Sequence, residues 1–295
     1  MAKNKTRYLL LAILLVTVFI LVILLIDRQQ SVPPSNTLTT NLPADTDSAT
    51  APEATASDQD EPLVQAKKLP LDYLPASAND QVIRRKHYAL SYLEAHEQAE
   101  WVAYELTTEE VGGEEERSDD FREDPEVTTG SATLKDYYRS GYDRGHLAPA
   151  GDMKFSEEAM SESFYMSNMS PQKPSFNRGI WRKLEAEVRE QAVQNGSLYV
   201  ITGPIFGNKV SKIGDSGVSI PQAYYKVLLD YTEPEVKAIA FLLPNQGSKK
   251  DVYDFAVSID SVEQLSGIDF FPALPDLEED MLESDFETAL WLANF

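Results

Sequence analysis

Between Tyr142 and Arg189 the chain gathers residue types that can move protons and hold charge. Asp143-Arg144-Gly145-His146 is followed by Leu-Ala-Pro-Ala-Gly-Asp152, then by a run from Phe164 through Asn168 to Gln172. Phe176-Asn177-Arg178-Gly179-Ile-Trp181 comes next, leading through Arg-Lys-Leu to Glu185. A histidine beside an acidic–basic pair and a glycine suits general-base work, because its ordinary pKa is near neutrality and the glycine permits close approach. A lone histidine is more often a satisfied surface or core residue, so the weight falls on its company. Glu185 and Arg189 are i and i+4 on a predicted helix and share one face, an arrangement that also suits a surface ion pair. Asn177 could start that helix as an N-cap or turn residue.

The series DRGHLAP, SNMSPQ and N-R-G-x-W-x-x-L-E, in this order from Asp143 to Glu185, resembles the DNA/RNA non-specific endonucleases. These are ββα-metal nucleases, and they include secreted bacterial nucleases and mitochondrial endonuclease G. Weaker resemblance extends from about Tyr88 to the C-terminal VSIDSVEQLSGIDFFPALPD. The resemblance implies a Mg²⁺-dependent endonuclease, with Mn²⁺ as a substitute, that cuts DNA and RNA without sequence specificity to 5′-phosphorylated products. His146 would be the general base and Asn177 the direct protein ligand of one Mg²⁺. A hard cation that keeps several waters needs little more than one amide oxygen and the substrate phosphate. Glu185 would hold a metal-bound water, since eight helical residues from Asn177 span about 12 Å, and Arg189 would meet the transition-state phosphate. Arg144 would contact phosphate, Asp143 would orient its neighbours, and Asn168 would brace the site. The family's upstream arginine falls at Arg117 or Arg122, on either side of Phe121 and before Asp124-Pro125; Arg117 is preferred, although the acidic insert Gly112 to Glu116 disturbs the spacing. A catalytically silent nuclease-fold surface protein that binds nucleic acid or a protein partner is the competing expectation, and a phosphodiesterase for another ester is a third.

Composition narrows the alternatives. With no cysteine in 295 residues, disulfides, Cys-ligated metals and thiol nucleophiles are excluded. His87 and His96 lack zinc-ligand spacing and precede the strand beginning at Gln98; no P-loop or dinucleotide fingerprint occurs. The net charge of -22 argues at first against a polyanionic partner. Its distribution says otherwise: residues 131–190 hold nine basic and nine acidic residues, and Lys173, Arg178, Arg182 and Lys183 occur with no acid between Gln172 and Leu184.

Residues 8–26 are 19 uncharged, nearly all apolar residues behind Lys3, Lys5 and Arg7, long enough to span a bilayer and oriented with the N-terminus in the cytoplasm. The nearest A-x-A, Ala54-Thr55-Ala56, lies far downstream, so an uncleaved anchor is expected in preference to a secretory signal. The organisation expected is a cytoplasmic stub (1–7), a transmembrane helix (8–26), a disordered acidic tether (27–66) and an endonuclease domain (67–295) in the periplasm or outside the cell. Within that domain, strands are predicted at 98–106, 198–203, 224–229 and 236–243. A helix is predicted over 179–194, closed by Asn195-Gly196, and a solvated helix over 276–287. Strands and helices do not alternate strictly, which predicts an α+β fold. The family fold would be a mostly antiparallel central sheet flanked by helices.

Overall fold

A computed structural model describes residues 73–76 and 81–292. In chain order its strands are β1 (Gln81–Arg84), β2 (Ala89–Leu93), β3 (Gln98–Thr107), β4 (Asp143–His146), β5 (Met169–Gln172) and β6 (Ser197–Ile205). They continue with β7 (Lys212–Ile213), β8 (Val218–Ser219), β9 (Ala223–Asp230), β10 (Lys237–Pro244) and β11 (Ala256–Val257). The α-helices are α1 (Thr108–Val111), α2 (Leu134–Tyr137), α3 (Glu157–Glu162), α4 (Arg182–Asn195), α5 (Ile259–Ser266), α6 (Asp276–Ser284) and α7 (Thr288–Leu292).

Seven strands form one sheet in the order β1-β2-β3-β6-β9-β10-β11, antiparallel at every pairing. Its apolar runs are near-continuous because both faces are covered, and alternate residues serve different cores. On one face Val102, Tyr104 and Leu106 of β3, Val200 of β6 and Leu228 of β9 pack with Trp181, Leu184, Val188 and Ala192 from the α4 segment. On the other, Trp101, Ala103, Ile201, Val227 and Leu229 pack with Ile259 and Val262 of α5 and with Phe270 and Phe271. The α+β architecture with a mainly antiparallel sheet is as expected. A separate two-stranded ribbon, β4–β5, pairs Asp143 with Gln172, Gly145 with Ser170 and His146 with Met169. A Cβ on Gly145 would lie 2.1 Å from the Gln172 side chain, so glycine lets Gln172 fold over the ribbon.

Four predicted strands recur as β3, β6, β9 and β10. The other seven were not anticipated; two of them, β1 and β2, precede β3, so His87 lies in the turn between them and His96 in a 3₁₀ turn after β2. Four- and five-residue strands carry too little periodicity to read.

The predicted 179–194 helix is regular only from Arg182. Residues Phe176–Trp181 form a wide π-turn, with Gly179 at φ -111° and ψ -111° outside helical geometry. Asn177 therefore is not the N-cap of α4. It lies within the preceding turn, and its backbone N–H donates to Lys173 O at 2.9 Å. Gly196, at φ 87°, ends the helix as expected, since only glycine takes such a conformation freely. Of the predicted 276–287 helix, α6 forms Asp276–Ser284, and it is not wholly solvated, because Glu283 is buried.

The anchor, the tether and most of the start of the expected endonuclease domain lie outside the described residues. Among the described residues no helix is long and apolar enough to cross a membrane.

Candidate active site

The ribbon β4–β5, the π-turn and α4 converge on a cleft of about 430 Å³ lined by Arg117, Arg144, His146, Asn177, Arg178, Arg182, Glu185 and Arg189. It adjoins a wider cleft of about 570 Å³ that shares Arg117, Arg144, Asn177 and Arg178 and adds Tyr138, Arg139 and Tyr142. Residues spread over more than 70 positions are thus brought together. Five arginines against one carboxylate give the smaller cleft a positive field, in contrast to the charge of the whole chain.

His146 ends β4 and is only 8% exposed. Phe164 meets its ring edge-on at 4.9 Å and Phe121 at 5.8 Å, which fixes the imidazole plane without using its nitrogens. Its Nε2 is buried and has no hydrogen-bond partner. Burial, reinforced by Arg117 and Arg144, lowers its pKa to about 3, so the ring is neutral and one of its nitrogens carries no proton. Asn168 braces the chain just beyond. Its Oδ1 accepts the Ala148 N–H at 2.9 Å, and its Nδ2 donates to Ala148 O at 3.0 Å and Ser163 O at 2.8 Å.

Asp143, at the other end of β4, accepts from Asn177 Nδ2 at 3.1 Å and from Arg178 Nε and NH2 at 2.8 and 2.7 Å. This fixes the Asn177 amide by its nitrogen and leaves the carbonyl oxygen for another partner. The Arg144 guanidinium lies 4.1 Å from the Phe121 ring centroid, and that of Arg117 4.7 Å from Phe164. The two aromatics that clamp His146 therefore also seat two arginines. Arg122 turns elsewhere: it stacks on Tyr165 at 3.9 Å and pairs with Asp120 at 2.7 Å. Arg117, not Arg122, lines the cleft.

The i, i+4 relation of Glu185 and Arg189 does not produce an ion pair between them. Arg189 reaches instead to fully buried Asp152, at 2.7 Å, and the other Asp152 oxygen accepts from Tyr104 of β3 at 2.6 Å. Glu185 is partly buried, and burial raises its pKa against the pull of Lys226. Lys226 projects from β9 beneath α4, donates to Thr202 Oγ1 at 2.6 Å and lies 5.2 Å from the Trp181 ring. Burial lowers its pKa, while Glu185 raises it. Asp152, Lys226, Phe121 and Phe164 carried no assigned role in the sequence. A lysine inside the apolar run YYKVLL and an acid closing DRGHLAPAGD were the available signals. His87 and His96 stay out of the cleft; His96 stacks on Phe206 at 3.8 Å and bonds Ser219 Oγ at 2.8 Å through Nδ1.

The chain belongs to the DNA/RNA non-specific endonuclease family, whose family model matches residues 67–277. It is 37% identical over 218 residues to the mitochondrial nuclease EXOG of Danio rerio, covering 68% of this chain and 63% of that protein; it thus spans less than two thirds of that relative. It is 36% identical over 217 residues to nuclease C1 of Cunninghamella echinulata, covering 68% and 86%. Human mitochondrial endonuclease G is 35% identical over 207 residues, covering 65% and 70%. Among solved structures, one titled as the EndoG/EndoGI complex, with the mechanism of EndoG inhibition, superposes with a TM-score of 0.63 at 33% identity, covering 67% of this chain and 88% of that one.

Proposed function

We propose that this protein is a metal-dependent endonuclease that hydrolyses DNA and RNA phosphodiester bonds without sequence specificity, leaving 5′-phosphates. The observation that carries this reading is the neutral, aromatic-clamped His146, which lines the same cleft as the Asn177 amide and three well-seated arginines. The β4–β5 ribbon followed by α4 supports a ββα-metal arrangement of the site.

The donor set fits a hard divalent ion. Asn177 has its nitrogen committed to Asp143 and its oxygen free to ligate, with no soft sulfur or second histidine in the cleft. Oxygen donors of this kind suit Mg²⁺, with Mn²⁺ as a substitute. When bound, the metal supplies charge neutralisation at the phosphate and the departing oxygen. The unprotonated imidazole of His146 takes the proton of the attacking water, and the flanking rings hold it in one orientation. Arg117, Arg144 and Arg189 offer charge to the phosphate, each pre-set by an aromatic ring or by Asp152. Glu185 serves as an acceptor for water at the cleft wall. Contacts of this kind address the backbone of a nucleic acid, which accounts for low sequence specificity.

Purified full-length chain with Mg²⁺ should degrade plasmid DNA and RNA, EDTA should stop it, and His146→Ala should retain folding but lose cleavage. Intact substrate after incubation of folded wild type with Mg²⁺ would overturn the assignment. The 19-residue apolar run with its basic flank supports a single-pass anchor through residues 8–26. In that arrangement residues 27–66 are the tether, and the nuclease faces the periplasm or cell exterior.

A further inference from the structure

On the far face of the sheet from α4, helices α5 and α6 pack against each other and the second core. Asp260 and Glu263 lie one turn apart on α5, and Glu283 lies on α6. One carboxylate oxygen from each of the three falls within 4.8 Å of the others. Glu283 is 5% exposed, and its Oε1 has no hydrogen-bond partner. Glu263 is held by the Phe270 N–H, which donates to its Oε1 at 2.7 Å.

A buried, unpartnered carboxylate is costly, and two like charges beside it add to the cost. Among the described residues no positive side chain offsets that cost in an ion pair with any of the three. Burial first, then Glu263, Glu279, Asp269 and Asp260, pushes the Glu283 carboxyl up to about 9. We propose that Asp260, Glu263 and Glu283 form a second divalent-cation site, structural rather than catalytic, that ties α6 to α5. The donors are carboxylate oxygens alone, without nitrogen or sulfur, which selects a hard ion. Ca²⁺ fits best, because it accepts irregular carboxylate geometry and fills its remaining positions with water, whereas Mg²⁺ demands a near-ideal octahedron. None of the three residues lines the catalytic cleft, so this site and the Asn177 site are separable.

The test uses the full-length chain stripped with EDTA. Calorimetric titration with CaCl₂ should show binding that survives Asn177→Ala and disappears in Glu283→Gln and in Asp260→Asn. Asp260 is exposed, so its variant has no packing to lose. At a hundredfold excess over Kd, Ca²⁺ should raise the melting temperature of wild type by about 5–10 °C, and leave Glu283→Gln unmoved. Stripped Glu283→Gln should melt at or above stripped wild type, since the substitution removes the repulsion. Its Mg²⁺-dependent nuclease rate should be unchanged. Calcium binding lost in Asn177→Ala but kept in Glu283→Gln would overturn the proposal. So would melting temperatures that vary with pH and are identical with and without Ca²⁺, the behaviour of a proton shared among the carboxylates.

Discussion

Asp143 holds Asn177 by its amide nitrogen at 3.1 Å while gripping Arg178 through both carboxylate oxygens. One carboxylate therefore decides which end of the asparagine faces the cleft. Substituting Asp143→Ala frees the amide to turn. Losing an outer partner of this kind typically weakens metal affinity about 10–100-fold. The Mg²⁺ concentration for half-maximal cleavage should rise by that factor in Asp143→Ala, with the rate partly recovered at high Mg²⁺. A metal titration of cleavage rate measures it; an unchanged midpoint would contradict the orienting role.

His146 also makes a prediction about stability. Its pKa is about 3 in the folded protein and about 6.5 when unfolded. Between those values the unfolded chain binds more protons, so stability rises with pH there and falls on acidification. At 1.36 kcal/mol per unit, the cost of going from neutral pH to pH 4 reaches about 3 kcal/mol. His146→Gln removes that term. Denaturant melts should show the variant losing less stability than wild type between pH 7 and 4, by up to this amount.

Asp152 is fully buried between Arg189 and Tyr104. Substituting Asp152→Ala leaves a partly buried guanidinium and a buried phenol without their acceptor. Breaking a buried pair from one side costs about 3–5 kcal/mol. Because Arg189 is partly solvated, the lower end is expected in urea denaturation. The kcat should fall as well, since Arg189 loses its fixed position. Arg189→Lys should lower kcat as well, because an ammonium lacks the planar guanidinium.

Charge sets the salt response. The chain carries -22 overall, yet five arginines line the cleft. Long-range repulsion of a polyanion is screened before short-range contacts are. Initial rates on DNA should rise from very low to moderate salt, then fall as phosphate contacts weaken. A monotonic decline from the lowest salt would remove the case for repulsion.

The residues that lie close together in the chain were legible before folding was considered. Asp143 to His146 and Asn177 to Glu185 occupy the cleft, and the four long strands were marked by their apolar runs. What escaped depends on distant pairings. Lys226 reaches Thr202 from the neighbouring strand, Arg189 pairs with Asp152 rather than with Glu185 on its own face, and Phe121 meets Phe164 across 43 positions. Local pattern carries no register for such encounters. Of the two roles open to Asn177, turn residue rather than N-cap, the choice has a local cause of another kind: the wide turn at Phe176–Trp181 preserves helical spacing while delaying regular geometry by three residues.

The sheet that separates the two cores acts as a partition. The arginine-lined cleft is mounted through α4 on one side, and the α5–α6 pair with its acids is mounted on the other. A substitution, a bound ion or a docked partner on the second side must work through seven strands of closely packed backbone to disturb the first. The far side is therefore the safer wall on which to engineer a label, a linker or an added binding surface.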